Sequence, residues 1–179
     1  MKLLWLDFET TGLEPGFDRI LEVAACVADL DSPFATSPLF HAVIGGPVDM
    51  SLVHPVVDEM HTNSGLWEDV RRSVVTLDDV ERELVALAGE ETDRELQTTL
   101  AGSSIAFDLS FIRACMPRLA RCLHYRTYDV SSVVLFCRSL GMPKLPKRLV
   151  HRAQDDILES IELARTCARW LGRGRERIL

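Results

Sequence analysis

No stretch of this 179-residue sequence comes near the ~18 consecutive apolar residues of a membrane-spanning helix. Its start also lacks the basic, apolar and small-residue succession of a secretory leader. The expectation is a cytoplasmic protein with no membrane partner. The five cysteines, Cys26, Cys115, Cys122, Cys137 and Cys167, form neither a CxxC pair nor a Cys/His zinc spacing. They sit among apolar neighbours and read as reduced core thiols. An excess of basic charge is missing too: 20 Lys and Arg stand against 27 Asp and Glu, a net charge of −7. A chain that grips long nucleic acid by its phosphates presents a basic stripe, so a short strand is the easier partner to reconcile with this charge. Repeats, low-complexity tracts and a convincing linker are all lacking. Residues 1–179 therefore read as one domain, with 172–179 (GRGRERIL) as a flexible basic tail.

What is present is a clear alternation of elements. Residues 2–8 and 20–29 read as strands joined by the turn-rich GLEPGFDR, and LFHAVIG (39–45) as a third. GGPVDMSLVHPVVDEMHTNSG reads as loop. TLDDVERELVALAGEE opens on a Thr76 cap and continues with Val80, Leu84 and Leu87 at helical spacing. TTLAGSS reads as a further strand; DLSFIRACM, VSSVVLFCRSL and AQDDILESIELARTCARWL read as helices. Strands first, then alternating strand and helix, predict an α/β domain with a mixed sheet, an antiparallel meander followed by parallel strands.

Two like charges stand in the first strand. Residues two apart share a face, so Asp7 and Glu9 point the same way as Leu3 and Trp5. The pair is either a solvated strand end or a couple held at the core edge by a cation, because buried unpaired carboxylates protonate. Asp108 shares the side of Phe111, Ile112 and Cys115 if a helix begins near it; an acid stabilised by the helix dipole is the plainer alternative. In the last helix the apolar stripe is Ala153, Ile157, Ile161, Ala164, Ala168 and Leu171. At about 100° per residue, Asp155 falls opposite that stripe with Glu159 and Glu162, while Asp156 lies on its flank with Ser160, Leu163 and Cys167. Asp156 is thus the acid able to reach a site, and His151 lies near the helix start. Four acids at a core edge are hard oxygen ligands that suit Mg²⁺ or Mn²⁺ rather than zinc. Two such ions can bracket a phosphodiester.

With these residues placed, the chain resembles the DEDDh-type 3′→5′ exonucleases of the ribonuclease H-like superfamily, and among them the oligoribonucleases. The matching pieces are DFETTGL (7–13), HTNSGL (61–66), GSSIAFDLSFI (102–112), HYRTYDVSS (124–132) and HRAQDDILESI (151–161), in the family's order. The resemblance implies two divalent ions, Mg²⁺ or Mn²⁺, held by Asp7, Glu9, Asp108 and Asp156, with Asp108 supporting the second ion. It implies His151 as the general base. Gly12 and Leu13 would receive the 3′-terminal base, with His61 lining the same pocket. Ser104, Arg126 and Ser131 match groups that close on a 5′ phosphate. Tyr125 matches an aromatic that stacks on a base from a partner subunit, so a homodimer is implied.

Two positions depart from the oligoribonuclease pattern. Val56 stands where a stacking Trp is usual, and Phe107 precedes Asp108, as in proofreading members of the superfamily. Phe107 is therefore a candidate substrate contact. The leading expectation is a metal-dependent exoribonuclease that degrades short single-stranded RNA, dinucleotides included, to nucleoside 5′-monophosphates. A proofreading-type exonuclease on single-stranded DNA stays open beside it, as does a nucleic-acid-binding domain without catalysis.

Overall fold

The computed structural model describes residues 2–90, 93–146 and 151–175. Five strands form one sheet: β1 (Lys2–Thr10), β2 (Ile20–Asp29), β3 (Phe40–Val43), β4 (Thr98–Gly102) and β5 (Leu123–Asp129), in the order β3-β2-β1-β4-β5. β1 and β2, and β2 and β3, pair antiparallel; β4 pairs parallel with both β1 and β5. This is the meander-then-parallel sheet expected from the sequence. Seven helices flank it among the described residues: α1 (Pro55–Asn63), α2 (Leu66–Arg72), α3 (Leu77–Ala88), α4 (Ala106–Cys115), α5 (Pro117–Cys122), α6 (Val130–Ser139) and α7 (Ala153–Arg175). None is long and apolar enough to cross a membrane.

The period-2 pattern of β1 divides the core into two layers. Leu4, Leu6 and Phe8 face α3, α4 and α5 through Val80, Leu84, Phe111, Ile112 and Leu119. Leu3 and Trp5 face α7 through Ala153, Ile157, Ile161 and Ala164. Burial of each large apolar side chain contributes about 1.5–3 kcal/mol before entropy is charged. Trp5 also satisfies its indole N–H by donating to Pro33 O at 3.0 Å. Asp7 and Glu9 continue the Leu3 and Trp5 face, so α7 is the helix that approaches them.

Three readings of the sequence are corrected. The segment read as loop contains α1: Pro55 sits at a helix start where its missing N–H costs nothing, and the His54 side chain accepts from Val56 N–H. The apolar stripe of α7 does not extend through Ala168 and Leu171, both exposed, because the helix outruns the sheet it packs on. The basic tail begins inside α7, which continues to Arg175; residues 176–179 lie outside the described residues. The strand β5 and the short helices α2 and α5 had no strong sequence signal. All five cysteines are free, four of them buried.

Candidate active site

β1 and β4 run side by side only from Leu3↔Thr99 to Trp5↔Ala101. Beyond that point the chain after β4 turns away into α4, and the outer end of β1 would be left with open ladder positions. Gly102 permits the close approach at the fork, since a Cβ there would lie 2.7 Å from Leu6 O. Asp108, in the first turn of α4, fills the gap by accepting the Phe8 N–H at 3.0 Å. Its burial pushes its pKa up to about 7 against the lowering effect of that hydrogen bond. Asp108 is therefore a buried side chain, not a solvated first-turn acid.

At the same end of β1, Asp7, Glu9 and Asp156 bring carboxylate oxygens within 4.8 Å of one another. The two β1 acids are contributed by the strand's outward end and the third by the first turn of α7. Burial drives the Asp7 pKa well above the usual aspartate range, and the charges of Asp108, Asp156, Glu9 and Glu22 push it the same way. Glu9 rises to about 8, first through burial and then through Asp156 and Glu22. Gathering these groups as anions is costly without a cation, and an all-carboxylate donor set fits a hard divalent ion. Asp155, one residue away, is exposed.

The three acids open onto a cavity of about 580 Å³, which His151, Ser104 and Ser131 also line. His151 takes a left-handed backbone (φ 53°), as does Ser104 (φ 54°). The hydroxyls of Ser104 and Ser131 lie 3.0 Å apart. Asp129 orders both: its Oδ1 accepts from Ser104 N–H and Ser131 N–H, each at 3.0 Å. Asp129 was not singled out from sequence, although an Asp directly before VSS is a helix-cap signal that could have found it. Glu159, placed by periodicity on the solvent face, lines this cavity as well.

The other anticipated contacts stand apart from the cavity. Gly12 lies in the turn after β1, where any Cβ would meet the Asp18 carboxylate at 2.5 Å, and Leu13 beside it is 73% exposed. His61 was expected to line the substrate pocket but is fully buried. Its Nε2 donates to Thr10 O at 2.8 Å, it meets Trp67 edge-on at 5.1 Å, and its Nδ1 lies 3.9 Å from Glu9 Oε2. Phe107 is half-buried and packs on Phe111 with ring centroids 5.0 Å apart, so its side chain serves the core. Tyr125 and Arg126 lie on β5, away from Ser104 and Ser131; Tyr125 is 66% exposed, and the Arg126 guanidinium stands over its ring at 4.7 Å. Val56, where a Trp was usual, is exposed on α1.

The family of exonucleases of the RNase T type matches residues 4–164. The oligoribonuclease of Corynebacterium diphtheriae is 41% identical over 165 residues, covering 89% of this chain and 78% of that protein. The oligoribonuclease of Mycobacterium ulcerans is 40% identical over 166 residues, covering 89% and 76%. Among solved structures, Escherichia coli exonuclease I bound to a dT13 oligonucleotide superposes with a TM-score of 0.70 at 16% identity, over 98% of this chain. The chain spans 43% of that enzyme's length, and the likeness is one of fold, the ribonuclease H-like one.

Proposed function

Since the chain belongs to the exonuclease family, within its oligoribonuclease branch, we propose that it removes nucleotides from the 3′ end of short single-stranded RNA, releasing nucleoside 5′-monophosphates. The observation that carries this reading is the convergence of Asp7, Glu9 and Asp156 in a cavity shared with His151, Ser104 and Ser131. Asp7, Glu9 and Asp156 would hold a divalent ion, Mg²⁺ or Mn²⁺, and Asp7 would reach a second, with Asp108 behind it. Such ions supply Lewis acidity at the scissile phosphodiester when bound. His151 takes the proton from the attacking water as the P–O3′ bond breaks, and the departing O3′ picks up a proton from solvent to leave a new 3′ hydroxyl on the shortened strand.

The Ser104–Ser131 pair supports the length preference. Two hydroxyls at the cavity wall, on backbone held by Asp129, can donate to the 5′ phosphate of a very short strand. An acidic chain is suited to such a pocket and poorly suited to a long phosphate track. Phe107, the residue that pointed toward DNA proofreading, is accounted for by its contact with Phe111. Gly12 and Leu13 remain the assigned rest for the terminal base. His61 acts beneath them, holding Thr10 and, through it, the turn. Tyr125 and Arg126 are assigned to the active site of a second copy, in a homodimer, because an exposed aromatic capped by a guanidinium is a stacking platform for a base. We place the protein in the cytoplasm, as a single catalytic domain. The test is product analysis on RNA labelled at its 5′ end. Shortening from the 3′ end, with 5′-monophosphates as the only small product, is the expected result; internal cuts or 3′-phosphate products contradict it.

A further inference from the structure

Glu22 lies on β2 directly opposite Glu9, on the same face of the sheet, and is fully buried. A buried carboxylate persists only where it is paired and hydrogen-bonded. Glu22 accepts from Arg152 Nε at 3.0 and 3.1 Å, from Arg152 Nη2 at 2.8 Å, from His41 Nε2 at 2.7 Å and from Ala153 N–H at 3.1 Å. The last of these satisfies the first free N–H of α7. Arg152 in turn donates to Ser64 O at 3.2 Å, pairs with Asp69 at 2.8 Å, and offers its carbonyl to the amides of Asp155 and Asp156 at 2.9 and 3.0 Å. One residue therefore joins β2, the α1–α2 junction and the first turn of α7. Its chain neighbour is His151, whose left-handed backbone persists only where the surroundings enforce it.

We propose that Glu22 and Arg152 are positioning residues for hydrolysis: the pair pins the start of α7 so that His151 and Asp156 face Asp7 and Glu9. This deepens the exonuclease reading and rests on it. The molecule supplies its own control. Glu81 on α3 accepts from the N–H groups of Arg118 and Leu119 at 2.7 and 3.2 Å and from Arg118 Nε at 2.8 Å, bolting the start of α5 by the same device. That second bolt sits in the opposite layer of the fold, away from the acid cluster. A purely structural role predicts that breaking either bolt lowers stability and nothing more.

The experiment compares Arg152→Lys and Glu22→Gln with Arg118→Lys and Glu81→Gln. It measures thermal unfolding, Mn²⁺ affinity by calorimetry without substrate, and kcat and KM on a 5′-phosphorylated diribonucleotide at saturating metal. A displacement of about 1 Å at a reacting group costs on the order of 100-fold in rate. Arg152→Lys and Glu22→Gln should lose kcat on that scale, with KM changed by less than about threefold, and should bind Mn²⁺ more weakly. The Arg118 and Glu81 variants should lower the melting temperature while keeping wild-type kcat and Mn²⁺ affinity. Where an Arg152 or Glu22 variant does not fold, Asp69→Asn, which removes one partner of the guanidinium, should give a smaller loss of kcat in the same pattern. Equal kcat and equal Mn²⁺ affinity in folded variants of both bolts would overturn the proposal. A wild-type protein without turnover would instead overturn the exonuclease reading itself, so the two failures are distinct.

Discussion

At the scale of single residues, the acids beside β1 cost the metal-free fold stability once they are ionised. Asp7, Glu9 and Asp108 all have pKa values raised by burial, Glu9 to about 8 and Asp108 to about 7. In the metal-free protein the folded state thus binds more protons than the unfolded chain between the ordinary carboxylate range and about pH 8. The stabilisation these groups give is complete at low pH, below their unfolded pKa values, and is lost as pH rises through the folded ones. Thermal unfolding in chelator should accordingly show a lower melting temperature at pH 8 than at pH 5. An ion that binds only the folded form stabilises it by about 2.7 kcal/mol at 100 times its dissociation constant. Because protons compete for the same oxygens, Mg²⁺ or Mn²⁺ should raise the melting temperature more at pH 8 than at pH 5. Asp7→Asn removes one of the crowded charges, so it should raise the metal-free melting temperature while abolishing turnover. Asp156→Asn should lower kcat by at least about 10³-fold, as loss of a transition-state stabilising group does. Exposed Asp155→Asn should stay within about twofold of wild type, as a surface change distant from the reacting atoms does; steady-state kinetics on a diribonucleotide separates the two.

At the scale of elements, the legible parts are those whose periodicity is local. Alternation in LLWLDFE placed Asp7 and Glu9 on the Trp5 face, and the 100° step of α7 separated Asp155 from Asp156. The same step failed at Ala168 and Leu171, because periodicity does not say where a helix leaves its sheet. It also put Glu159 in solvent, whereas the cavity wall curves round to meet it. Contacts across the fold were not legible. Nothing local announces that Glu22 meets Arg152, 130 residues away, or that Asp108 completes the ladder of β1. The one available hint at Glu22 was a lone acid in the apolar run ILEVAACVAD. The fork between β1 and β4 carries its own prediction. Gly102→Ala would press a methyl group onto Leu6 O, which tightly paired strands cannot relieve, and should cost about 1–3 kcal/mol of stability in denaturant unfolding.

At the scale of the whole molecule, one chain brings the three acids, His151 and the serine pair to one cavity, which its Tyr125 and Arg126 do not line. If a second copy supplies those two side chains, Tyr125→Ala and Asp156→Asn chains, each weak alone, should regain activity when mixed, because one site of each mixed dimer is then whole. Failure of the mixture to recover activity would remove Tyr125 from the site. The most direct measurement remains the choice of substrate. With Mg²⁺ present, kcat/KM on a 5′-phosphorylated diribonucleotide should exceed that on a long single DNA strand, as a cavity of about 580 Å³ in a chain of net charge −7 favours a short strand. Faster hydrolysis of the long DNA would contradict the assignment to short RNA.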